Sequence, residues 1–111
     1  MYARKVAACL LVSLFSIGTA HSEVSIQEYK SMTDENLTKI YISGLGKGIF
    51  WANLDANSLL KKKLYCPPGK LALAVDNYMQ ILNDEIARGI YPADTPIEFV
   101  LLKGLERVFP C

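Results

Sequence analysis

The run Cys66-Pro67-Pro68-Gly69 constrains this chain more than any other feature. Two consecutive prolines lack the backbone N–H groups that a helix interior or a central strand needs, and their rings clash with a preceding helical turn. The chain is therefore broken there. On both sides of the break apolar residues recur at steps of three and four. No segment alternates with period two for long enough to make a sheet. The expected fold is all-α, a small bundle of about four helices.

Local signals predict where each helix begins and ends. Ser25-Ile26-Gln27-Glu28 has the form of a capping box and predicts a short helix over Ile26 to Ser31. Thr33 or Asp34 predicts the cap of a longer second helix. Its face reads Leu37, Tyr41, Gly44, Leu45, Gly48 and Ala52, and extends to Ala56 and Leu59. Asp55-Ala56-Asn57-Ser58 is expected to fray that helix or end it. A third helix is expected from about Lys70 to Arg88, with Leu71, Val75, Tyr78, Met79, Leu82 and Ile86 as its apolar stripe and Gly89 as its close. Thr95-Pro96-Ile97-Glu98 predicts an N-cap, a proline at the first helical position and a capping glutamate. The fourth helix then runs to about Val108, with Ile97, Leu101, Leu105 and Val108 inward.

The first 22 residues read as a secretory leader rather than as part of this bundle. Arg4 and Lys5 form a positive start, and Val6 to Ala20 follow as 15 residues without a charge. Ala20-His21-Ser22 then supplies small residues at a cleavage site before Glu23. A bilayer span takes about 20 apolar residues, and this run is shorter and softened by Ser13, Ser16, Gly18 and Thr19. Cleavage after Ser22, or after Ala20 as second choice, leaves a single domain over residues 23–111. Of the 12 basic residues the leader takes Arg4 and Lys5, so 10 remain against 11 acidic ones. That balance carries no basic surplus for nucleic acid. With 51% of the chain hydrophobic it is not a disordered protein either.

A domain of this size has a thin core, and small exported domains often add a disulfide. Cys66 and Cys111 are the two cysteines beyond the leader. One precedes the third helix and the other follows the fourth. A short connection makes those helices antiparallel, so a Cys66–Cys111 bridge would close the C-terminal helical hairpin at its open end. The chain-entropy model gives about 4 kcal/mol for a closed loop of about 46 residues. A redox or nucleophilic role lacks both a C-x-x-C spacing and a partner histidine.

Catalytic constellations are scarce. The one histidine, His21, lies in the leader, which removes His-based triads and metal sites from the mature domain. The carboxylate pairs Asp34-Glu35 and Asp84-Glu85 are sequence neighbours on expected solvated helix faces. Neighbours on a helix point about 100° apart and cannot flank one bond. Gly44-Leu45-Gly46-Lys47-Gly48 fits neither nucleotide-binding pattern. Its glycines are expected to permit close approach of a helix, from this chain or from a second subunit, with Tyr41, Gly44 and Gly48 on the packing face. Lys61-Lys62-Lys63 reads as a solvated loop or a partner surface. No catalytic residue, metal or cofactor is expected.

Three segments resemble the Rap/Tai family of periplasmic immunity proteins. Tyr41-Ile42-Ser43-Gly44-Leu45 is similar to that family's Tyr-Ile-x-Gly-hydrophobic segment. Cys66-Pro67-Pro68-Gly69 is similar to the Cys-x-Pro-x-Gly start of its next helix, and Leu101 to Cys111 to its closing helix and Phe-Pro-Cys end. The likeness covers about Leu37 to Cys111. Members often carry a further cysteine pair around Tyr-Ile-x-Gly, whereas no cysteine lies between Glu23 and Tyr65 here. The resemblance implies a helical periplasmic homodimer that binds a type VI secretion effector, typically a peptidoglycan amidase, and occludes its active site with a protruding loop.

Two segments suit such a loop, Leu60 to Tyr65 and Gly89 to Asp94. The second is preferred on sequence, because Tyr91 is a low-entropy aromatic anchor, Pro92 stiffens it and Asp94 can meet a donor in the partner's cleft. Its plainer reading is a helix connection in which Tyr91 covers the edge of the core. The expected function is thus a binding protein, not an enzyme, with a secreted effector as partner and with no nucleic-acid or membrane role after cleavage. The alternative is a small disulfide-linked periplasmic stress chaperone.

Overall fold

The computed structural model describes residues 23–69 and 73–111. The leader expected over residues 1–22 lies outside the described residues, as do Lys70 and Leu71 at the expected start of the third helix. The regular elements are four helices, α1 (Ile26–Ser31), α2 (Glu35–Leu60), α3 (Val75–Ala87) and α4 (Ile97–Val108). No strand occurs among the described residues; Ser25 and Pro96 form an isolated bridge. The all-α expectation therefore holds.

The helix starts follow from side chains that satisfy orphan N–H groups. The Ser25 hydroxyl accepts from the Glu28 N–H at 3.1 Å and opens α1. The Asp34 carboxylate accepts from the N–H groups of Asn36 and Leu37 at 3.0 and 3.2 Å and opens α2. In α3 the Asn77 side chain accepts from the Ala74 N–H at 2.9 Å, which fixes the start at Val75, later than expected. The first N–H of α4, on Ile97, donates to the Val24 carbonyl at 2.8 Å. Pro96 is accordingly the N-cap in place of Thr95, and Glu98 turns to Tyr41 instead of closing a capping box. Gly89, with φ +69°, closes α3 as expected.

The most extensive packing is between α3 and α4, and α2 lies mainly on α3. Ile42, Tyr65, Leu82, Ile97, Val100, Leu101 and Leu105 are fully buried. Cys66 and Cys111 are bonded, with their Cα atoms 4.9 Å apart, so the bridge closes the C-terminal hairpin. Beside it the Cys66 N–H donates to the Phe109 carbonyl at 2.8 Å.

Four further expectations need correction. The inward face of α2 is Thr38, Ile42, Gly46 and Asn53, not the row through Leu37, Gly44 and Gly48. Apolar residues lie on both sides of this helix, so spacing fits two faces, and the one taken is where Gly46 admits the ring of Tyr78. The helix also runs through Asp55–Ser58 to Leu60, because those polar side chains are largely in water and compete with nothing inside. Val108 is exposed, since the chain turns just beyond it and Phe109 packs at the core edge instead. Finally, Glu85 is buried rather than solvated, for reasons that lie in the α3–α4 connection.

Candidate functional site

The α3–α4 connection is tied down at both its side chains and its backbone. Glu85, on the inward stripe of α3, is 1% exposed. Its Oε1 accepts from the Tyr91 hydroxyl at 2.8 Å and from Arg88 at 2.9 Å, and its Oε2 from Arg107 Nε at 2.7 Å. Burial opposes ionisation of this carboxyl, but the hydrogen bonds from Arg107, Tyr91 and Arg88 outweigh it and hold the pKa below the ordinary value. Burial, then the adjacent Glu85, push the Tyr91 hydroxyl upward, so it remains a donor. The carbonyls of Ala93 and Thr95 accept from the Gln27 and Ile26 N–H groups, each at 3.0 Å. Tyr91 also meets Phe99 edge-on. The structure therefore holds Tyr91 against the core edge through its polar end. Asp94 is exposed beside it.

The loop after α2 is built differently. Leu59 and Leu60, at the helix end, are 72% and 75% exposed. Lys61 ends the helix in the left-handed region, with φ 56°, and Lys62, Lys63 and Leu64 are exposed. None of the three lysines has an ion-pair partner among the described residues. The base of this loop is rigid. Asn53, buried on the inward face of α2, donates from Nδ2 to the Tyr65 carbonyl at 2.8 Å. Its Oδ1 accepts from the N–H groups of Leu64 and Tyr65 at 2.6 and 3.3 Å. Tyr65 is fully buried, and the Cys66–Cys111 bridge follows at once.

A third feature is the outer face of α2. Ile40 and Trp51 are 68% and 66% exposed, and Leu37 lies on the same side. A Cβ added at Gly44 or Gly48 would meet nothing within 4 Å. Of the two expected partners for these glycines, an internal neighbour among the described residues is thus ruled out. Gly46 is the glycine that takes the internal contact. Tyr41 stands at the flank of this face, half-buried, and donates its hydroxyl to Glu98 of α4. Burial, then the hydrogen bond to Glu98, push its pKa up to about 12. Tyr41 thus serves the fold, while Gly44 and Gly48 face open space.

The sequence reading passed over Asn53 and took Glu85 for a solvated carboxylate, although both matter here. Each left a signal, a polar residue at a helix step that its apolar neighbours share. Glu85 stands three residues after Leu82, and Asn53 four after Ile49. Among the described residues no cluster of His, Cys, Asp or Glu groups at least three ligands as a metal site needs. No helix among them is long and apolar enough to cross a membrane. Compared with protein-family models, curated proteins and solved structures, the chain matches none.

Proposed function

We propose that residues 23–111 act as a periplasmic immunity protein that binds a secreted peptidoglycan-degrading amidase and blocks its active site. The observation that carries this reading is the pairing of the chain's Cys-Pro-Pro-Gly and Phe-Pro-Cys segments through the Cys66–Cys111 bridge. It joins two of the three segments that resemble the Rap/Tai family into one rigid unit. The third segment supports the same reading, with Ile42 in the core and Gly44 facing out. On this reading two copies meet through the outer face of α2, where Leu37, Ile40 and Trp51 stand in water. Exposed apolar clusters of this kind mark protein interaction surfaces.

The test is co-expression with the secreted amidases of the same genome, directed first to the periplasm and then to the cytoplasm. Protection confined to the periplasm, with a stable complex on purification, is expected. Unchanged toxicity of every such amidase overturns the reading. The exposed apolar side chains of α2 also suit the chaperone alternative. ANS binding that appears only on acidification, together with suppression of aggregation of unrelated proteins, would favour it.

A further inference from the structure

We propose that removal of the leader supplies a last contact of the fold: the α-ammonium that cleavage after Ser22 creates on Glu23 pairs with the carboxylate of Glu98. This rests on the expected cleavage and not on the immunity reading.

The backbone brings the two residues together. The segment from Glu23 to Ile26 runs antiparallel to the start of α4. The Ile26 N–H donates to the Thr95 carbonyl at 3.0 Å, and the Ile97 N–H to the Val24 carbonyl at 2.8 Å. Ser25 and Pro96 form the bridge between these bonds. Continued outward, that register sets Glu23 beside the first turn of α4, where Glu98 stands.

The side chains there need a cation. The Tyr41 hydroxyl donates to Glu98 Oε1. Burial and Glu98 raise the Tyr41 pKa most, and the charge of Glu23 adds to the rise. Two carboxylates thus share one small site with a phenol that stays protonated. Like charges placed opposite one another repel, and neither Glu23 nor Glu98 has an ion-pair partner among the described residues. Glu98 Oε2 is also closed off from water, and it accepts no hydrogen bond among the described residues. A buried carboxylate oxygen without a donor is costly.

A free N-terminus on Glu23 has the chemistry that is missing. It offers three N–H donors and is positively charged at neutral pH, its ordinary pKa being about 7.7–8.0. The bond from Ile97 to the Val24 carbonyl tethers it one residue away. With no peptide bond before it, the ammonium turns about the Glu23 Cα toward Oε2. In the precursor the same nitrogen is an uncharged amide. The domain therefore reaches full stability only once the leader is gone, and the unprocessed chain is the easier one to unfold for export. Cleavage after Ala20 puts the charge on His21 and makes no such pair.

The experiment uses disulfide-bonded protein purified from the periplasm, with its N-terminus read first by mass spectrometry. Melting temperatures are compared for the wild type, Glu98→Gln, a chain with Gly-Ser inserted between Ser22 and Glu23, and both changes together. Glu98→Gln keeps an acceptor for Tyr41 and removes the charge. The insertion moves the ammonium and changes no residue of the domain. Each single change is expected to lower the melting temperature by about 5 °C, and the combination to lower it no further. NMR titration of the α-amino group reads the pair directly. Its pKa is expected above the ordinary range in the wild type and within that range in Glu98→Gln. An insertion without effect, losses that add, or an ordinary α-amino pKa in the wild type overturns the proposal. So does a mature terminus at His21, or one at Glu23 closed as pyroglutamate. Failure to protect against any amidase overturns the immunity reading and leaves this pair standing.

Discussion

A methyl group added at Gly46 would lie 2.6 Å from the ring of Tyr78. Tyr78 is itself buried, so the ring has little room to retreat. Gly46→Ala should therefore destabilise the fold by about 1–3 kcal/mol despite the better helix propensity of alanine. Urea denaturation with an unchanged slope would check it. Glu85 is the other single residue on which much depends. Its folded pKa lies below its unfolded value, so its contribution is complete above the unfolded carboxyl pKa of about 4.3 and is lost as pH falls through the lower folded value. Glu85→Gln keeps the shape and removes the charge. It should cost about 1–3 kcal/mol at neutral pH and flatten the loss of stability on the acid side. Denaturation at a series of pH values would show both effects.

At the scale of elements, the α3–α4 hairpin is joined at both ends by different means. The bridge of Cys66 to Cys111 holds the open end. Glu85, near the end of α3, holds the connected end through Tyr91 and Arg88 and ties in the last turn of α4 through Arg107. Removing the bridge frees the C-terminus and also the anchor of the lysine loop, since Tyr65 precedes Cys66 directly. Cys66→Ser should cost about 2–5 kcal/mol. Amide exchange should rise over Leu64–Cys66 and Phe109–Cys111 before it rises in the middle of α3. Most of these elements were legible in the sequence, because caps, prolines and closing glycines act over a few residues. The Ser25 cap, the Asp34 cap and the Gly89 close all lie where their chemistry puts them. The rotation of α2 was not legible. Its apolar residues occupy two sides, and only a partner helix selects one.

For the whole molecule, the balance of apolar surface decides what to expect in solution. Among the described residues, ten hydrophobic side chains form the buried core and twelve large ones are exposed. A domain that leaves so many in water gains from a partner surface. A homodimer through the outer face of α2 is expected by light scattering at micromolar concentration. A Cβ at Gly44 meets nothing within 4 Å, so Gly44→Leu should leave the monomer folded and abolish the dimer. Unfolding on this substitution, or a monomeric wild type, would reject the interface. The expected leader makes a separate prediction. Mass spectrometry of periplasmic protein should find an N-terminus at Glu23, or at His21 if cleavage follows Ala20. An intact Met1 in a membrane fraction would reject export with cleavage.

The all-helical class, the caps of the first two helices, the proline break and the partner of each cysteine follow from the sequence alone. Each depends on interactions between residues near in the chain, or on there being just two cysteines beyond residue 22 to pair. The candidate site does not follow in that way. Gly46 rather than Gly44 meets a neighbour because Tyr78 arrives from α3 on that side. Glu85 is buried because Arg107 comes from α4 to neutralise it. Tyr91 is turned inward by that same carboxylate, while the lysine loop is braced from behind by Asn53. These are contacts between residues far apart in sequence. Periodicity reports how a helix divides its faces, but burial of one face against a particular partner is decided only when the helices pack.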